Sequence, residues 1–335
     1  MPAPSTHDVV AIGNAIVDVI ASAPDQFLYD HGLVKGSMEL VDADRSDELY
    51  GAMPPGLEAS GGSAANTAAG LASFGARAAF IGKVRDDQLG AVFAHDIRAI
   101  GVTFSSAPAA SGPPTARCMI VVTPDAERTL TTYLGIAGQV TVDDIDADLV
   151  AGAEITFCEG YLWDLEPTKE AIRAAMKIAH AAGRRVALTL SDGFCVDRHR
   201  SEFLELARSS VDVLFANEEE ICSLYEVDHF DEALQRVRQD VELAFLTRGA
   251  AGSVVVDGNE LHVIDAHLHG PVVDTTGAGD QFAAGVLHGL THGLDLATCG
   301  RLGSLAAGEV IAHVGPRPAE SLAQLAELTR RRDAP

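Results

Sequence analysis

The chain has 335 residues, with 24 Lys and Arg against 48 Asp and Glu, so its formal net charge is −24 at pH 7. That length allows one large α/β domain with a full core, although it would also allow two domains. The acidic balance argues against general binding to nucleic acid or to an anionic membrane, so we expect neither as a partner. Nucleotide binding stays open, because one local basic or amide-lined pocket is enough to hold phosphate.

The five cysteines are scattered, odd in number and form no C-x-x-C pair, which predicts reduced thiols. The sequence has no apolar run long enough to suggest a transmembrane helix. Its first residues also lack the charged and apolar regions of a signal peptide. We therefore expect a cytoplasmic protein.

Short apolar runs along the chain predict buried strands. In chain order they lie at 9–12, 78–81, 155–158, 186–190, 213–216 and 243–246. Helical periodicity separates several of these runs, for example at 168–182 and 231–239. This alternation predicts the α/β fold class, with a mainly parallel central sheet covered by helices on both faces. In such sheets, ligands bind beyond the carboxyl ends of the strands.

Two segments break the alternation of strand and helix. Residues 16–57 carry shorter, more polar strand-like pieces, and 116–132 contain an alternating run at 118–122 followed by a turn at 123–125. From pattern alone they are either insertions or the edge of a sheet. We find no linker, repeat or low-complexity segment, so we predict a single domain over 1–335.

The stretch 272–285 is the most informative part of the chain, because it predicts a strand, a glycine-rich turn and the start of a helix. Apolar residues then recur on one helical face, at Phe282, Val286 and Leu290. Unpaired N–H groups and the dipole at a helix N-terminus attract phosphate, and Gly277 and Gly279 allow the main chain to approach it closely. The turn is therefore a candidate phosphate site.

Asp280 lies beside this predicted anion site. A carboxylate next to a phosphate is unfavourable unless it has a role, such as accepting the proton of a hydroxyl that attacks phosphorus. The alternative is a tightly packed turn in which Asp280 is only a helix-start charge. Because amides and the helix dipole favour the charged form, we expect Asp280 to be ionised at neutral pH.

A second glycine-rich pattern lies upstream, at Gly61-Gly62-Ser63-Ala64-Ala65-Asn66. Paired glycines permit backbone angles that other residues resist, and Ser63 is a candidate N-cap for the alanine-rich helix that follows. Taken alone, this pattern also fits an ordinary junction between a loop and a helix.

The two patterns lie roughly 200 residues apart and together resemble the two signatures of the ribokinase-like carbohydrate and nucleoside kinases, the PfkB family. The resemblance implies a ribokinase-like three-layer α/β/α domain with a small β-sheet lid formed by about 16–57 and 116–132. It also implies that Asp280 is the general base. In that case, the developing charge is held by the amides of Gly277, Ala278 and Gly279.

The resemblance also implies where the acceptor substrate binds. The residues it assigns to the substrate are Asn14, Asp18, Gly61, Gly62, Ser63 and Asn66. A carboxylate such as that of Asp18 accepts two hydroxyl hydrogen bonds well. Without the resemblance, Asp18 would be interpreted as a loop residue.

For the donor, the resemblance implies ATP with Mg²⁺. Asn217 and Glu220 match an N-x-x-E motif that places Glu220 in a water-mediated magnesium network, although the acidic triplet at 218–220 also fits a solvated helix start. The matching nucleotide loop supplies Thr247, Gly249, Gly252 and, from the second signature, Thr275. Arg128 matches a lid arginine that closes over the transferring phosphate. Asp274 and Gly315 match a site for a monovalent cation, K⁺.

Within the family, three stretches are more similar to adenosine kinases than to ribokinases or fructokinases. They lie at 13–18, 188–194 and 314–318, and the second departs from the usual L-N-L-S-x-P-F at Thr189 and Gly193. The resemblance therefore implies transfer of the ATP γ-phosphate to the ribose 5′-hydroxyl of adenosine, with other nucleosides next and a free sugar third. Candidates to line a purine slot are Met38, Leu40, Leu134 and Trp163.

Two further alternatives stay open. A catalytically silent nucleoside-binding regulator could share this fold, since fold does not fix activity, but the intact Asp280 and the glycines beside it argue against that. The chain could be a monomer or a homodimer formed through the lid sheet.

Overall fold

The computed structural model describes residues 4–125, 127–258 and 260–333. The strands are β1 (His7–Ile12), β2 (Ile16–Ser22), β3 (Met38–Leu40), β4 (Leu57–Gly61), β5 (Ala78–Ile81), β6 (Ala116–Val122), β7 (Arg128–Tyr133), β8 (Ala153–Glu159), β9 (Arg185–Thr189), β10 (Val213–Asn217), β11 (Leu243–Thr247), β12 (Ser253–Asp257) and β13 (Glu260–Ile264). The α-helices are α1 (Asp25–Asp30), α2 (Ala43–Ala52), α3 (Ser63–Ser73), α4 (Gln88–Ala99), α5 (Ala147–Gly152), α6 (Glu166–Ala181), α7 (Gly193–Ser209), α8 (Glu218–Tyr225), α9 (Phe230–Asp240), α10 (Ala278–Thr291), α11 (Leu296–Val310) and α12 (Leu322–Asp333). Short 3₁₀ turns lie at Gly135–Gln139, Val142–Asp144, Gly160–Trp163 and Gly249–Ala251.

An eight-stranded sheet forms the centre of the fold, in the order β13-β12-β11-β10-β9-β8-β1-β5. Neighbouring strands from β11 to β5 run parallel, and β12 and β13 continue the sheet as antiparallel strands. All six apolar runs found in the sequence are strands of its parallel part. The prediction of a mainly parallel central sheet is confirmed.

The central sheet separates two hydrophobic cores. Along β1, Val10 and Ile12 face the core formed with α5 to α9, whereas Val9 and Ala11 face the core formed with α3, α4, α10 and α11. This follows from the two-residue period of a strand, which sends successive side chains to opposite faces. The α/β/α arrangement predicted from the sequence is therefore confirmed.

A second, smaller sheet has the strand order β3-β7-β6-β2-β4. Its strands come from the two segments that broke the strand–helix alternation, extended to Gly61 and to Tyr133. Because β4 ends at Gly61 and α3 begins at Ser63, this sheet connects directly to the helix that carries the first glycine-rich pattern. Its action as a lid stays a prediction.

The prediction of a strand at the start of the stretch 272–285 is wrong. The backbone N–H groups of Val273 and Asp274 both donate to the carbonyl of Ile311, at the end of α11, and no strand among the described residues pairs with them. Val272 and Val273 are exposed. An apolar pair before a glycine-rich turn suggested a buried strand, but here it forms an extended loop held against a helix end.

Two global expectations can be compared with the structure. All five cysteines are free thiols, in line with the prediction from their spacing. Within the described ranges, no helix is both long enough and apolar enough to cross a membrane.

The close contact of α10 with α11 generates a prediction about stability. A Cβ added at Gly285 would lie 2.4 Å from the carbonyl oxygen of Leu302, a backbone atom that cannot rotate away. We expect Gly285→Ala to lower the free energy of unfolding by about 1–3 kcal/mol, measured by urea denaturation.

The matched control is Gly51→Ala in α2, where an added Cβ would meet no atom within 4 Å. This substitution should leave stability unchanged or raise it by up to about 1 kcal/mol, because alanine favours helix more than glycine does. Equal midpoints for the two variants would contradict the packing described for α10 and α11.

Candidate active site

The glycine-rich patterns meet at the carboxyl edge of the central sheet, around a cavity of about 540 Å³ that we call the central cleft. Its walls come from the small sheet, from the ends of β10 and β11 and from the first turns of α3, α8 and α10. Most of the predicted site residues line it, namely Asp18, Gly62, Ser63, Asn66, Asn217, Glu220, Thr247, Gly249, Thr275, Gly277, Ala278, Gly279 and Asp280.

Two side cavities adjoin opposite ends of the central cleft. The Gly252 cavity, of about 310 Å³, lies between the Gly249–Ala251 turn, the start of α10 and α11. The Met38 cavity, of about 330 Å³, lies under the small sheet, and its lining includes Met38, Leu40 and Leu134. Each side cavity shares lining residues with the central cleft, so both lie directly beside it.

The first turn of α10 forms the floor of the central cleft. Gly277 is its N-cap, with φ of 78°, and a Cβ there would lie 2.6 Å from the carbonyl oxygen of Pro316. Glycine is therefore required both by the backbone angle and by the approach of the neighbouring chain. The N–H of Ala278 donates to the carbonyl of Thr275 over 3.2 Å, a long bond within the turn.

Asp280 is held by two side chains of α3. Its Oδ1 accepts a hydrogen bond from Ser63 Oγ at 2.6 Å, and its Oδ2 accepts one from Asn66 Nδ2 at 3.1 Å. The interpretation of Ser63 as an N-cap is wrong, because Gly62, with φ of 97°, occupies the cap and Ser63 is the first helical residue. The serine hydroxyl instead reaches across to the second motif.

Burial is the largest influence on the Asp280 carboxyl. Desolvation raises the pKa of Asp280, while the hydrogen bonds from Ser63 and Asn66 and the charge of Arg317 act to lower it. Desolvation therefore opposes the amides and the helix dipole, which favour the charged form. The ionised state of Asp280 at neutral pH stays a prediction.

Sequence reasoning missed two residues that hold Asn66 in place. Arg317 donates through Nε to Asn66 Oδ1 at 3.3 Å, and its Nη1 donates to Ser60 Oγ at 2.8 Å. Gln281, which is fully buried, donates from Nε2 to the carbonyls of Asn66 and Pro316. Arg317 lies in the stretch 314–318, which is similar to adenosine kinases, but the local sequence does not indicate which residues it contacts.

Glu159 was also missed. It lies at the end of β8, is fully buried, and accepts hydrogen bonds at Oε1 from the backbone N and the Nδ2 of Asn14, both at 2.7 Å. Its Oε2 accepts the N–H of Ala64 at 2.9 Å. Glu159 therefore joins the end of β1 to the start of α3. The signal that could have identified Glu159 is its position directly after the apolar run 155–158, at the carboxyl end of a predicted strand.

Asp18 lies within β2 rather than in a loop, so the loop interpretation is wrong. It pairs in register with Cys118 of β6 and Ala59 of β4, and it is buried. Burial raises the pKa of Asp18 to about 6, against the opposing charges of Arg317 and Arg128. Gly61 packs on it, since a Cβ there would lie 2.4 Å from the Asp18 carboxyl carbon.

Asn217 and Glu220 form a reciprocal cap at the start of α8. The Asn217 side chain accepts the N–H of Glu220, while the Glu220 carboxylate accepts from the backbone N and the Nδ2 of Asn217. Glu220 is buried, unlike a solvated helix-start charge, and burial raises its pKa to about 7. The described residues hold no group of three or more His, Cys, Asp or Glu placed to bind a metal by themselves.

Three predicted residues meet beside the central cleft rather than in its lining. The Arg128 guanidinium forms an ion pair with Asp274, with Nη2 and Oδ2 3.0 Å apart, and the N–H of Gly315 donates to the same Oδ2 at 2.9 Å. Gly252 and Asn14 line the two side cavities, one each.

Trp163 does not reach any of these cavities in the described structure. It is fully buried in the core with α6 and α7, next to Phe203 and under the guanidinium of Arg173. Its proposed place in a purine slot is therefore wrong. Its position after an apolar strand gave no information on which side of the sheet it would pack.

Residues 32–322 match the family model described as pfkB family carbohydrate kinase. The chain is 28% identical to the adenosine kinase of Saccharomyces cerevisiae, over 95% of this chain and 98% of that protein. It is 29% identical to the fructokinase of Klebsiella pneumoniae, over 79% and 94% of the two chains. The chain belongs to the PfkB family of carbohydrate kinases, and is therefore a kinase that phosphorylates an alcohol group.

Two solved structures are also similar over nearly the whole chain. The adenosine kinase of Sinorhizobium meliloti is 54% identical, with a TM-score of 0.90, and the match covers 97% of this chain and all of that one. A "probable sugar kinase protein" from Rhizobium etli CFN 42 is 51% identical, again with a TM-score of 0.90, over 97% and 99% of the two chains. These similarities confirm the ribokinase-like fold.

The burial of Glu159 generates a prediction about pH. Burial raises the pKa of Glu159 to about 7, above its ordinary value of 4.5, even though the hydrogen bonds from Asn14 and Ala64 oppose this. The folded state therefore binds more protons than the unfolded state between those values, and the stability contribution is lost as pH rises through the folded pKa. Glu159→Gln removes this titration.

We expect the wild type to lose about 1–3 kcal/mol of unfolding free energy relative to Glu159→Gln between about pH 5 and about pH 8, measured by urea denaturation. Glu170→Gln, at an exposed position of α6, is the control and should parallel the wild type. A constant difference between the wild type and Glu159→Gln across this range would contradict the assigned environment.

Proposed function

We propose that this chain is an ATP-dependent adenosine kinase that transfers the γ-phosphate to the ribose 5′-hydroxyl, giving AMP and ADP. The observation that carries the proposal is the position of Asp280 in the central cleft, which shares lining residues with the Met38 cavity and, through different residues, with the Gly252 cavity. A nucleoside and ATP could lie across these cavities with the 5′-hydroxyl of the nucleoside facing the γ-phosphate of ATP at the first turn of α10.

The acceptor side fits a nucleoside. Asp18 and Asn66 line the central cleft, where a carboxylate and an amide can hydrogen-bond the ribose hydroxyls. The adjoining Met38 cavity is large and apolar enough for a base, with Leu40 and Leu134 in its lining and Phe194, 77% exposed, at its border. A free sugar would leave this apolar surface uncovered.

The donor side fits ATP. The Gly252 cavity is lined by small and apolar residues, including Ala250, Ala266 and Ala307, which suit an adenine ring. It opens onto Thr275 and Gly279, beside the helix N-terminus at which phosphates bind favourably. An ATP with its base in this cavity would therefore place its phosphates toward Asp280.

In the proposed reaction, Asp280 takes the proton of the 5′-hydroxyl, and the oxygen lone pair forms a bond to the γ-phosphorus while the bond to the β,γ-bridging oxygen breaks. Ser63 and Asn66 fix the carboxylate through its two oxygens, so that its remaining lone pairs can meet the hydroxyl. The amides of Gly277, Ala278 and Gly279 would hold the charge that develops on the phosphoryl oxygens.

The residues present fit a magnesium ion carried by the nucleotide. Mg²⁺ keeps several waters and binds through one or two carboxylates together with substrate phosphates. Glu220 lines the central cleft, and its two hydrogen bonds from Asn217 leave acceptor positions for a bound water. When bound, the ion would neutralise the charge of the β- and γ-phosphates.

The relatives support adenosine and also keep one other substrate class as a second candidate. The Sinorhizobium meliloti protein named adenosine kinase is 54% identical over nearly the whole chain, which favours adenosine. The "probable sugar kinase protein" and the fructokinase relatives keep a free sugar as the second candidate. A silent regulator is disfavoured because Asp280 keeps both of its hydrogen-bond partners.

The direct test is MgATP-dependent phosphorylation of adenosine, inosine, guanosine, cytidine, ribose and fructose by the wild type and by Asp280→Asn. We expect the highest kcat/KM with adenosine, and a loss of about 10³ in kcat for the variant, since a positioned base contributes about that much. Asp143→Asn, at an exposed position, is the control and should keep wild-type kinetics.

Each other outcome has a defined meaning. Turnover on a free sugar alone would overturn the substrate while keeping the kinase. Near-normal turnover by Asp280→Asn would overturn the base assignment. Tight adenosine binding with no turnover on any acceptor would favour the regulator.

A further inference from the structure

Asp274 accepts three hydrogen bonds and forms one ion pair, although the family resemblance assigns it to a monovalent cation. Its Oδ1 accepts hydrogen bonds from Thr276 N at 3.0 Å and Thr276 Oγ1 at 2.7 Å. Its Oδ2 accepts from Gly315 N at 2.9 Å and lies 3.0 Å from Nη2 of Arg128. A carboxylate has about four acceptor positions; hydrogen bonds take three of them, and the Arg128 guanidinium lies against the same oxygen as Gly315 N.

The residues therefore do not fit a bound K⁺ in this arrangement. Gly315 presents its N–H to the carboxylate, which is a donor and not a ligand for a cation. A cation placed on Oδ2 would also lie next to the Arg128 guanidinium, and like charges at such a distance repel each other strongly. The groups around the Asp274 carboxylate are hydrogen-bond donors and a guanidinium, so its charge is already neutralised within the protein.

Arg128 has the burial expected of an internal counter-ion. Its side chain is only 7% exposed and that of Asp274 only 9%, so the pair lies largely out of water. Its Nη1 and Nη2 are both buried without a hydrogen-bond partner in the described part of the chain, so the contact with Asp274 is an ion pair and the guanidinium keeps donors free. Desolvation acts to raise the pKa of Asp274, but the hydrogen bonds from Gly315 and Thr276, with the Arg128 charge, lower it.

We propose that the guanidinium of Arg128 supplies at Asp274 the positive charge for which the family resemblance implied K⁺, so that phosphoryl transfer by this chain needs no monovalent cation. Arg128 acts here as a positioning residue, because it neutralises Asp274 and thereby stabilises the turn that leads to Gly277. The activity readout of this inference rests on the proposed kinase function, whereas its binding readout does not.

The ion pair of Arg128 and Asp274 also connects the small sheet to the glycine-rich turn before α10. Arg128 begins β7, whereas Asp274 lies three residues before the N-cap of α10. A diffusible cation would neutralise Asp274 without making this connection. Replacing Arg128 should therefore both create a need for a cation and loosen the small sheet from the turn.

The test compares the wild type with Arg128→Met, which keeps an unbranched side chain and removes the charge, in KCl and in choline chloride at equal ionic strength. The wild type should phosphorylate its acceptor at the same rate in both salts. Arg128→Met should be slower in choline and recover about tenfold in KCl, because the unpaired buried carboxylate would then take the ion. Arg128→Lys should remain independent of K⁺, since it keeps the charge.

The binding readout uses thermal unfolding of the same proteins without substrate. KCl, relative to choline chloride, should raise the midpoint of Arg128→Met and leave that of the wild type unchanged. Asp274→Asn combined with Arg128→Met should lose this response, because no charge remains to be neutralised. Stimulation or stabilisation of the wild type by K⁺ would overturn the inference.

If Arg128→Met does not fold, the wild type and Arg128→Lys decide the question by the same two readouts. If no acceptor is phosphorylated, the kinase proposal fails on its own, and the thermal midpoints still test Arg128. The two failures are therefore distinguishable.

Discussion

The contact between Asp280 and the first turns of α3 is the interaction on which the rest of the site depends. It joins residues 217 positions apart, Ser63 and Asp280, and so brings the two glycine-rich patterns into one cleft. Gln281 and Arg317 both donate hydrogen bonds to Asn66, and α10 packs closely on α3. A base fixed through both oxygens costs no reorientation when a hydroxyl arrives, which is the advantage of a preorganised site.

The second constraint is charge. The chain is strongly acidic, and burial raises the pKa of two carboxyls of the central cleft, Asp18 and Glu220, and of Glu159 in the adjoining Met38 cavity. Their counter-charges and donors are internal, since Arg317 and Arg128 act on Asp18 while backbone and side-chain N–H groups bind Glu159 and Glu220. The cleft can therefore accept a polyanionic nucleotide without a basic surface elsewhere on the molecule.

Much of the fold followed from the sequence, because strand runs and helical periodicity are local signals. The six strands were found in this way, and the helices predicted at 168–182 and 231–239 differ from α6 and α9 by one or two residues at their ends. Contacts between distant side chains have no local signal, so Glu159, Gln281 and Arg317 were missed. The same limit explains why the position of Trp163, whose partners lie on α6 and α7, and the ion pair of Arg128, whose partner is 146 residues away, were not predicted.

A double-mutant cycle on Ser63→Ala and Asp280→Asn tests the central claim, that the two motifs act as one site. In the wild-type background, loss of the serine hydroxyl should lower kcat/KM about tenfold, since the carboxylate loses a fixed orientation. In the Asp280→Asn background it should have little further effect, giving a coupling energy of about 1 kcal/mol or more. An equal, additive loss in both backgrounds would contradict the account.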